Sequence, residues 1–190
     1  MRIIGDVHGD YDTYKKLTQN CENSIQIGDM GIGMKFDTNP NHYSENHMFF
    51  RGNHDNPGEC LNTPNFLGDY GYKNGVFWFS GAESVDSNRR NEGIDYWANE
   101  QLSVSQFESA LYLYEKYKPR IVLSHDAPQS ITCNMFTYIY KNTLTRQALD
   151  AAYEIHQPEY WVFGHHHKTK HYQDKSTKFI CLGSLDYIDL

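Results

Sequence analysis

Eight residues of this chain could share one piece of chemistry: Asp6, His8, Asp29, Asn53, His54, His125, His165 and His167. They supply carboxylate, imidazole and amide oxygen but no thiolate, a borderline-to-hard donor set that fits Mn, Fe or Zn. Magnesium or calcium alone would not need so many histidines. Two ions about 3.5–4 Å apart and sharing a carboxylate would use most of the group, with water in the open positions. Asp6 and His8 are separated by one residue, as are His165 and His167. In an extended segment residues i and i+2 point to one face, so each pair can reach one site. The run Gly164-His165-His166-His167 lies inside the chain behind an apolar segment, which sets it apart from an expression tag. Alternation turns His166 away from that site, and alanine there is expected to be mild beside either neighbour.

These residues need elements that deliver them to one place. Arg2-Ile3-Ile4 ends in Gly5-Asp6-Val7-His8-Gly9, Ser24–Ile27 in Gly28-Asp29, and Met48–Arg51 in Gly52-Asn53-His54-Asp55. Likewise Arg120–Leu123 ends in Ser124-His125-Asp126, and Tyr160–Phe163 ends in Gly164. Short runs rich in β-branched and aromatic residues read as buried strands. Gly75–Phe79 and Lys178–Leu182 read as two more. Asp10 can cap a helix over Tyr11–Gln19, Ser103 or Ser105 can start one reaching Tyr117, and Thr143–Ile155 carries apolar residues at helical spacing before Pro158. Alternating strands and helices predict an α/β domain with partly parallel strands, whose ligands sit beyond the carboxyl ends of the strands. The glycines at 5, 28, 52 and 164 precede the candidate ligands and allow sharp turns there.

The rest of the composition bounds the function. A length of 190 residues suits one domain, 1–190, with a sizeable core. With 39% hydrophobic and 22% charged residues, the balance is that of a globular chain. No apolar run approaches a membrane span and no secretion signal is expected ahead of the first strand. Cys21, Cys60, Cys133 and Cys181 form no C-x-x-C pair, which suits a reducing cytoplasm. A net charge of -7 disfavours tracking of a long nucleic acid by counterion release, and metal ions would neutralise some of the carboxylates.

At these positions the chain resembles the calcineurin-like metallophosphoesterase superfamily, particularly its small bacterial and phage-type members. The family pattern runs D-x-H, G-D, G-N-H-[DE], H and G-H-x-H, and all of it occurs here in order between residues 6 and 167. The resemblance implies a β-sandwich of two mixed sheets flanked by helices. It also implies two divalent ions, manganese favoured, the first held by Asp6, His8, Asp29 and His167. The second would be held by Asp29, Asn53, His125 and His165, with Asp29 bridging. Such a pair lowers the pKa of a bridging water, whose hydroxide attacks phosphorus in line with the departing oxygen. His54 would hydrogen-bond or protonate the leaving group. The implied substrate is a phosphomonoester or small phosphodiester, on a small molecule or an exposed phosphate; sequence does not choose between them.

Protein serine/threonine phosphatases continue their second motif as G-D-x-V-D-R-G, whereas this chain reads Gly28-Asp29-Met30-Gly31-Ile32-Gly33. The phosphate must then find another cation, and Arg51, Arg89 and Arg90 are the candidates. Arg51 could equally serve as a structural ion-pair partner. Arg90 follows Asp86 in a stretch, Ser80–Arg90 with Tyr96–Ser103, that is similar to G-A-x-S-x-D-x-x-x-R and W-W-x-x-E in small family members. Protein phosphatase, non-catalytic scaffold and nuclease remain as alternatives. His42, His47, His156 and His171 lie outside any motif and read as structural or exposed.

Overall fold

The computed structural model describes residues 1–34, 46–137 and 141–190. Strands β1 (Arg2–Ile4), β2 (Ser24–Ile27), β3 (His47–Phe50) and β10 (Tyr187–Asp189) form one sheet in the order β10-β1-β2-β3. The second sheet runs β4 (Tyr70–Lys73), β5 (Val76–Phe79), β6 (Ile121–Ser124), β7 (Tyr160–Phe163), β9 (Thr177–Cys181), β8 (Lys170–Asp174). Both are mixed. β1, β2 and β3 are parallel with β10 antiparallel, and β5, β6, β7 and β9 are parallel with β4 and β8 antiparallel at the edges.

Strand alternation sorts the core into layers. Ile3, Ile27 and Phe50 of the first sheet meet Val76, Trp78, Ile121, Leu123, Val162 and Ile180 of the second between the sheets. The neighbouring residues Phe77, Phe79, Val122, Trp161, Phe163 and Phe179 face outward, under α3 (Val104–Tyr117), α4 (Gln129–Met135) and α5 (Leu144–Ile155). On the other side Ile4 and Phe49 pack with Tyr11 and Tyr14 of α1 (Tyr11–Thr18) and Cys60 of α2 (Pro57–Cys60). Central strands are thus apolar on both faces, which is why they read as continuous apolar runs.

Helix starts follow local chemistry. Asp10 accepts from the Thr13 amide, Thr143 from the Arg146 amide, and Ser103 forms a reciprocal capping box with Gln106. Ser103, rather than Ser105, is therefore the cap. Among the described residues no helix is long and apolar enough to cross a membrane.

Candidate metal centre

The parallel strands end on one side of the sandwich, and the turns that follow them carry the ligand candidates. One oxygen or nitrogen each from Asp6, His8, Asp29 and His167 lie within 4.8 Å of one another, as do ligand atoms of Asp29, His125 and His165. Asp29 belongs to both groups. His8 Nε2 and His167 Nε2 face each other at 3.0 Å, and His167 Nε2 lies 3.2 Å from Asp6 Oδ2. His125 Nε2 lies 3.2 Å from Asp29 Oδ1 and 3.1 Å from Asn53 Oδ1, so the Asn53 amide oxygen joins the second group. The seven residues expected to hold metal are therefore brought together, in two groups that share Asp29.

The backbone reaches this arrangement by a different route from the extended alternation expected of it. His8, Asp29, His165 and His167 have φ of 50°, 58°, 66° and 51°, in the left-handed region. Such residues are strained by about 1–2 kcal/mol each and persist only where the surroundings fix them. Here Val7 and His8 both donate backbone N–H to Asp29 O, at 2.9 and 2.8 Å, and the His165 amide lies 3.2 Å from both Asp6 oxygens. A methyl group on Gly52 would collide with the Asp29 carboxylate, and one on Gly164 with that of Asp6. Only glycine lets backbone and ligand approach so closely at these two points.

Asp55, the last residue of the Gly-Asn-His-Asp motif, ties the second and third turns together. Its buried carboxylate accepts from the amides of Gly31 (2.7 Å), Ile32 (3.0 Å) and Gly52 (2.8 Å). Sequence reading gave it no role, although its place in the motif was a signal.

Two observations fit this centre to cations. Asp29 Oδ2 is buried and finds no hydrogen-bond partner among the described residues, while Oδ1 accepts from the His54 amide at 2.7 Å. A buried carboxylate oxygen left unpaired is costly, and a positive ion at that atom would satisfy it. Charge balance points the same way. Burial pushes Asp29 up, but His125, His54 and His8 outweigh it and hold the carboxyl well below its ordinary range. Burial would lower His125, yet Asp29 and Asp6 raise it to about 10. The two buried carboxylates thus favour positive charge at this point, whether a proton on His125 or a cation in its place. His125 Nδ1 lies 2.9 Å from the Ile27 carbonyl, a hydrogen bond that leaves Nε2 to face the ligand group. His165 is lowered to about 3, mainly by burial, and presents the neutral imidazole that metal ligation needs.

A cleft of about 300 Å³ opens over the second group, lined by Asp29, Asn53, His54, Val85, Asp86, Arg90 and the three histidines. Arg90 lies against His54, its Nη1 3.0 Å from Nδ1 and its Nη2 3.3 Å from Nε2, and its Nε donates to Asp86 Oδ1 at 2.6 Å. Burial, then Arg90, lowers the His54 pKa against the pull of Asp29. Arg89 ends the exposed 3-10 turn Ser87–Arg89 and does not line the cleft.

Arg51 also stands apart from it. Its Nε lies 2.6 Å from Asp69 Oδ1 and its Nη1 donates to the Glu100 carbonyl at 2.6 Å, so its guanidinium is engaged in a part-buried ion pair. The structure therefore corrects Arg51 as a substrate contact and favours the structural alternative.

His166 is not at either ligand group, but neither does it turn to solvent. Its side chain is 2% exposed, its Nε2 lies 3.1 Å from Asp126 Oδ1, and its ring stacks on Phe136 at 4.4 Å between centroids. Asp126 Oδ2 in turn meets Arg146 Nε at 2.7 Å. A change at His166 would therefore remove a buried contact to Asp126 and a ring stack, and not only a spacer. Among the other histidines, His47 Nδ1 meets Ser24 Oγ and His156 Nε2 the Pro119 carbonyl, His171 is exposed on β8, and His42 lies outside the described residues.

Comparison with curated proteins gives no match. Among solved structures the chain is similar to TT1561 of Thermus thermophilus, at 18% identity and a TM-score of 0.55, covering 97% of this chain and 89% of that one. It is also similar to phosphopantetheinyl hydrolase of Mycobacterium tuberculosis, at 12% identity, a TM-score of 0.59 and coverage of 96% and 89%. A third is GAP50, described as the anchor in the inner membrane complex of Plasmodium, at 12% identity, a TM-score of 0.54 and coverage of 96% and 71%. At such identities the likeness carries the fold alone. The sequence model that matches residues 2–169 is that of the calcineurin-like phosphoesterases, and with the match covering most of its length the chain belongs to that family.

Proposed function

We propose that the protein is a dimetal-dependent phosphoesterase acting on a phosphomonoester or a small phosphodiester. One observation carries this: two donor groups meet at the buried Asp29 carboxylate, whose Oδ2 has no hydrogen-bond partner among the described residues. Asp6, His8, Asp29 and His167 would hold one ion, and Asp29, Asn53, His125 and His165 the other. When bound, two divalent ions supply a water acidic enough to act as nucleophile near neutral pH and polarise the phosphoryl oxygens. Manganese is favoured for this donor set over magnesium or calcium.

The chain's own groups do the rest. Arg90, aligned by Asp86, offers guanidinium N–H to a non-bridging phosphate oxygen, the role left vacant by Arg51. His54, kept neutral by burial and Arg90, offers one N–H to the departing oxygen. The open cleft of about 300 Å³ suits a small phosphoester better than a folded protein surface. An intact ligand set argues against a purely anchoring role such as the one the Plasmodium structure's description names.

The test is an assay of an aryl phosphomonoester, an aryl phosphodiester and 2′,3′-cyclic nucleotides with Mn²⁺ added. No turnover of any of the three by protein that has bound two ions would sink the proposal. His54→Ala is expected to keep its metal and lose about 10²-fold or more in kcat, since positioned proton donors contribute in that range; full activity would remove His54 from the chemistry. Arg90→Ala is expected to lose about 10–100-fold in kcat/KM, the equivalent of one charge-assisted hydrogen bond. An unchanged kcat/KM would leave Arg90 as scaffold.

A further inference from the structure

An asparagine can ligate a metal through Oδ1 only, because Nδ2 presents hydrogens. Something must therefore decide which end of the Asn53 amide faces the second ligand group. Asn53 Nδ2 donates to Ser84 Oγ at 3.1 Å, and Ser84 Oγ donates its single proton to Glu100 Oε2 at 2.6 Å. The other Glu100 oxygen accepts from the Ser84 amide at 2.6 Å, so both carboxylate oxygens are committed to one residue. All three side chains are buried. The Glu100 carbonyl is itself anchored by Arg51, the residue that begins the Gly-Asn-His-Asp turn.

We infer that Ser84 and Glu100 are positioning residues that direct the Asn53 amide, through the one-way run of protons from Asn53 to Ser84 to Glu100, so that Oδ1 faces the second metal. The logic is that of a carboxylate behind a ligating histidine, where the outer partner fixes the inner one and makes it a better donor. A carboxylate can only accept, so the serine hydroxyl has to point at it. The serine oxygen is then left to accept from Asn53, and the amide has one allowed orientation. The inference rests on the two-metal reading of the centre.

Glu100→Gln reverses the run without changing its shape. With the glutamine oxygen on the Ser84 amide, its NH₂ donates to Ser84 Oγ, the serine proton turns toward Asn53, and the amide must rotate to bring Nδ2 against the metal. Chelator-stripped full-length protein titrated with Mn²⁺ by calorimetry, followed by electron paramagnetic resonance, reads this without any substrate. Wild type is expected to take two ions and show a coupled pair. Glu100→Gln is expected to keep one ion at wild-type affinity, weaken the other about 10–100-fold, and show the signal of an isolated ion. Ser84→Ala should behave alike and Ser84→Thr should restore both sites, which settles the matter even if Glu100→Gln folds poorly. Two ions at wild-type affinity in Glu100→Gln or in Ser84→Ala, or equal weakening of both ions there, would overturn the inference while leaving the proposed function intact. A wild-type protein that binds fewer than two ions would overturn both.

Discussion

Asparagine in place of Asp29 is expected to remove both metal ions together, where the loss of His8 or His165 should mainly weaken one. The two donor groups have this one side chain in common. Its Oδ1 accepts from the His54 amide at 2.7 Å and faces His125 Nε2 at 3.2 Å, while Oδ2 points into the first group. An amide has one oxygen to give. If it stays on the His54 N–H, an NH₂ faces the metals; if it rotates, two donors meet at His54. Either way the negative charge that balances the two cations is gone. Metal analysis after dialysis should find neither ion retained, and turnover should fall to background. Thermal stability reads the same event independently. Ions that bind only the folded state stabilise it by about 2.7 kcal/mol at a hundred times Kd, so wild type should melt higher with Mn²⁺ and Asp29→Asn should not respond. A variant that holds two ions and works normally would end the bridging assignment.

The proposed ligand residues were legible in the sequence because metal chemistry restricts side-chain type, and strand ends are marked by an abrupt change from apolar to polar residues. Strands β5, β6, β7 and β9 were legible for a related reason, since a helix layer and a second sheet bury both their faces. β4, β8 and β10 were missed. Each lies at a sheet edge and is half exposed, so its sequence carries no apolar run and its identity depends on a neighbour that sequence does not display. The conformation of the ligand turns was also hidden: the spacing of two in Asp6/His8 and His165/His167 suggested extension, while tertiary hydrogen bonds impose left-handed turns instead. The residues behind the ligands were hidden more deeply. Ser84, Glu100, Asp126 and Arg146 are of ordinary type, and what singles them out is convergence across 16 to 31 positions of chain. No local pattern encodes that.

The largest effect away from the ligands is expected at Asp126, and it explains why the histidine run contains three residues and not two. Asp126 and Arg146 are each 1% exposed, with Asp126 Oδ2 2.7 Å from Arg146 Nε, while Oδ1 accepts from the Ala127 amide at 2.8 Å and meets His166 Nε2 at 3.1 Å. Asp126 directly follows the proposed ligand His125, and His166 stands between the proposed ligands His165 and His167. One carboxylate thus pins two ligand-bearing turns to α5. Asp126→Asn takes the Asp126 charge from beside the buried Arg146, and breaking a buried pair in this way costs about 3–5 kcal/mol. His166→Ala keeps the Arg146 pair and removes the hydrogen bond to Asp126 and the Phe136 stack, for about 1–3 kcal/mol, with weakened binding expected at both ions because its two neighbours would serve one each. The pH dependence separates the causes. Burial raises the Asp126 pKa, but His165, His166 and Arg146 outweigh it and hold the carboxyl far below its ordinary value. A depressed acid contributes stability that is complete above its unfolded pKa, about 3.9, and drains away as pH falls from there toward the folded pKa. Urea unfolding of metal-free protein between neutral pH and pH 3 should therefore show Asp126→Asn well below wild type at neutral pH and converging on it in acid. A constant gap across that range would mean that Asp126 acts by shape alone, and a His166→Ala protein with wild-type stability and metal affinity would return His166 to the role of a spacer.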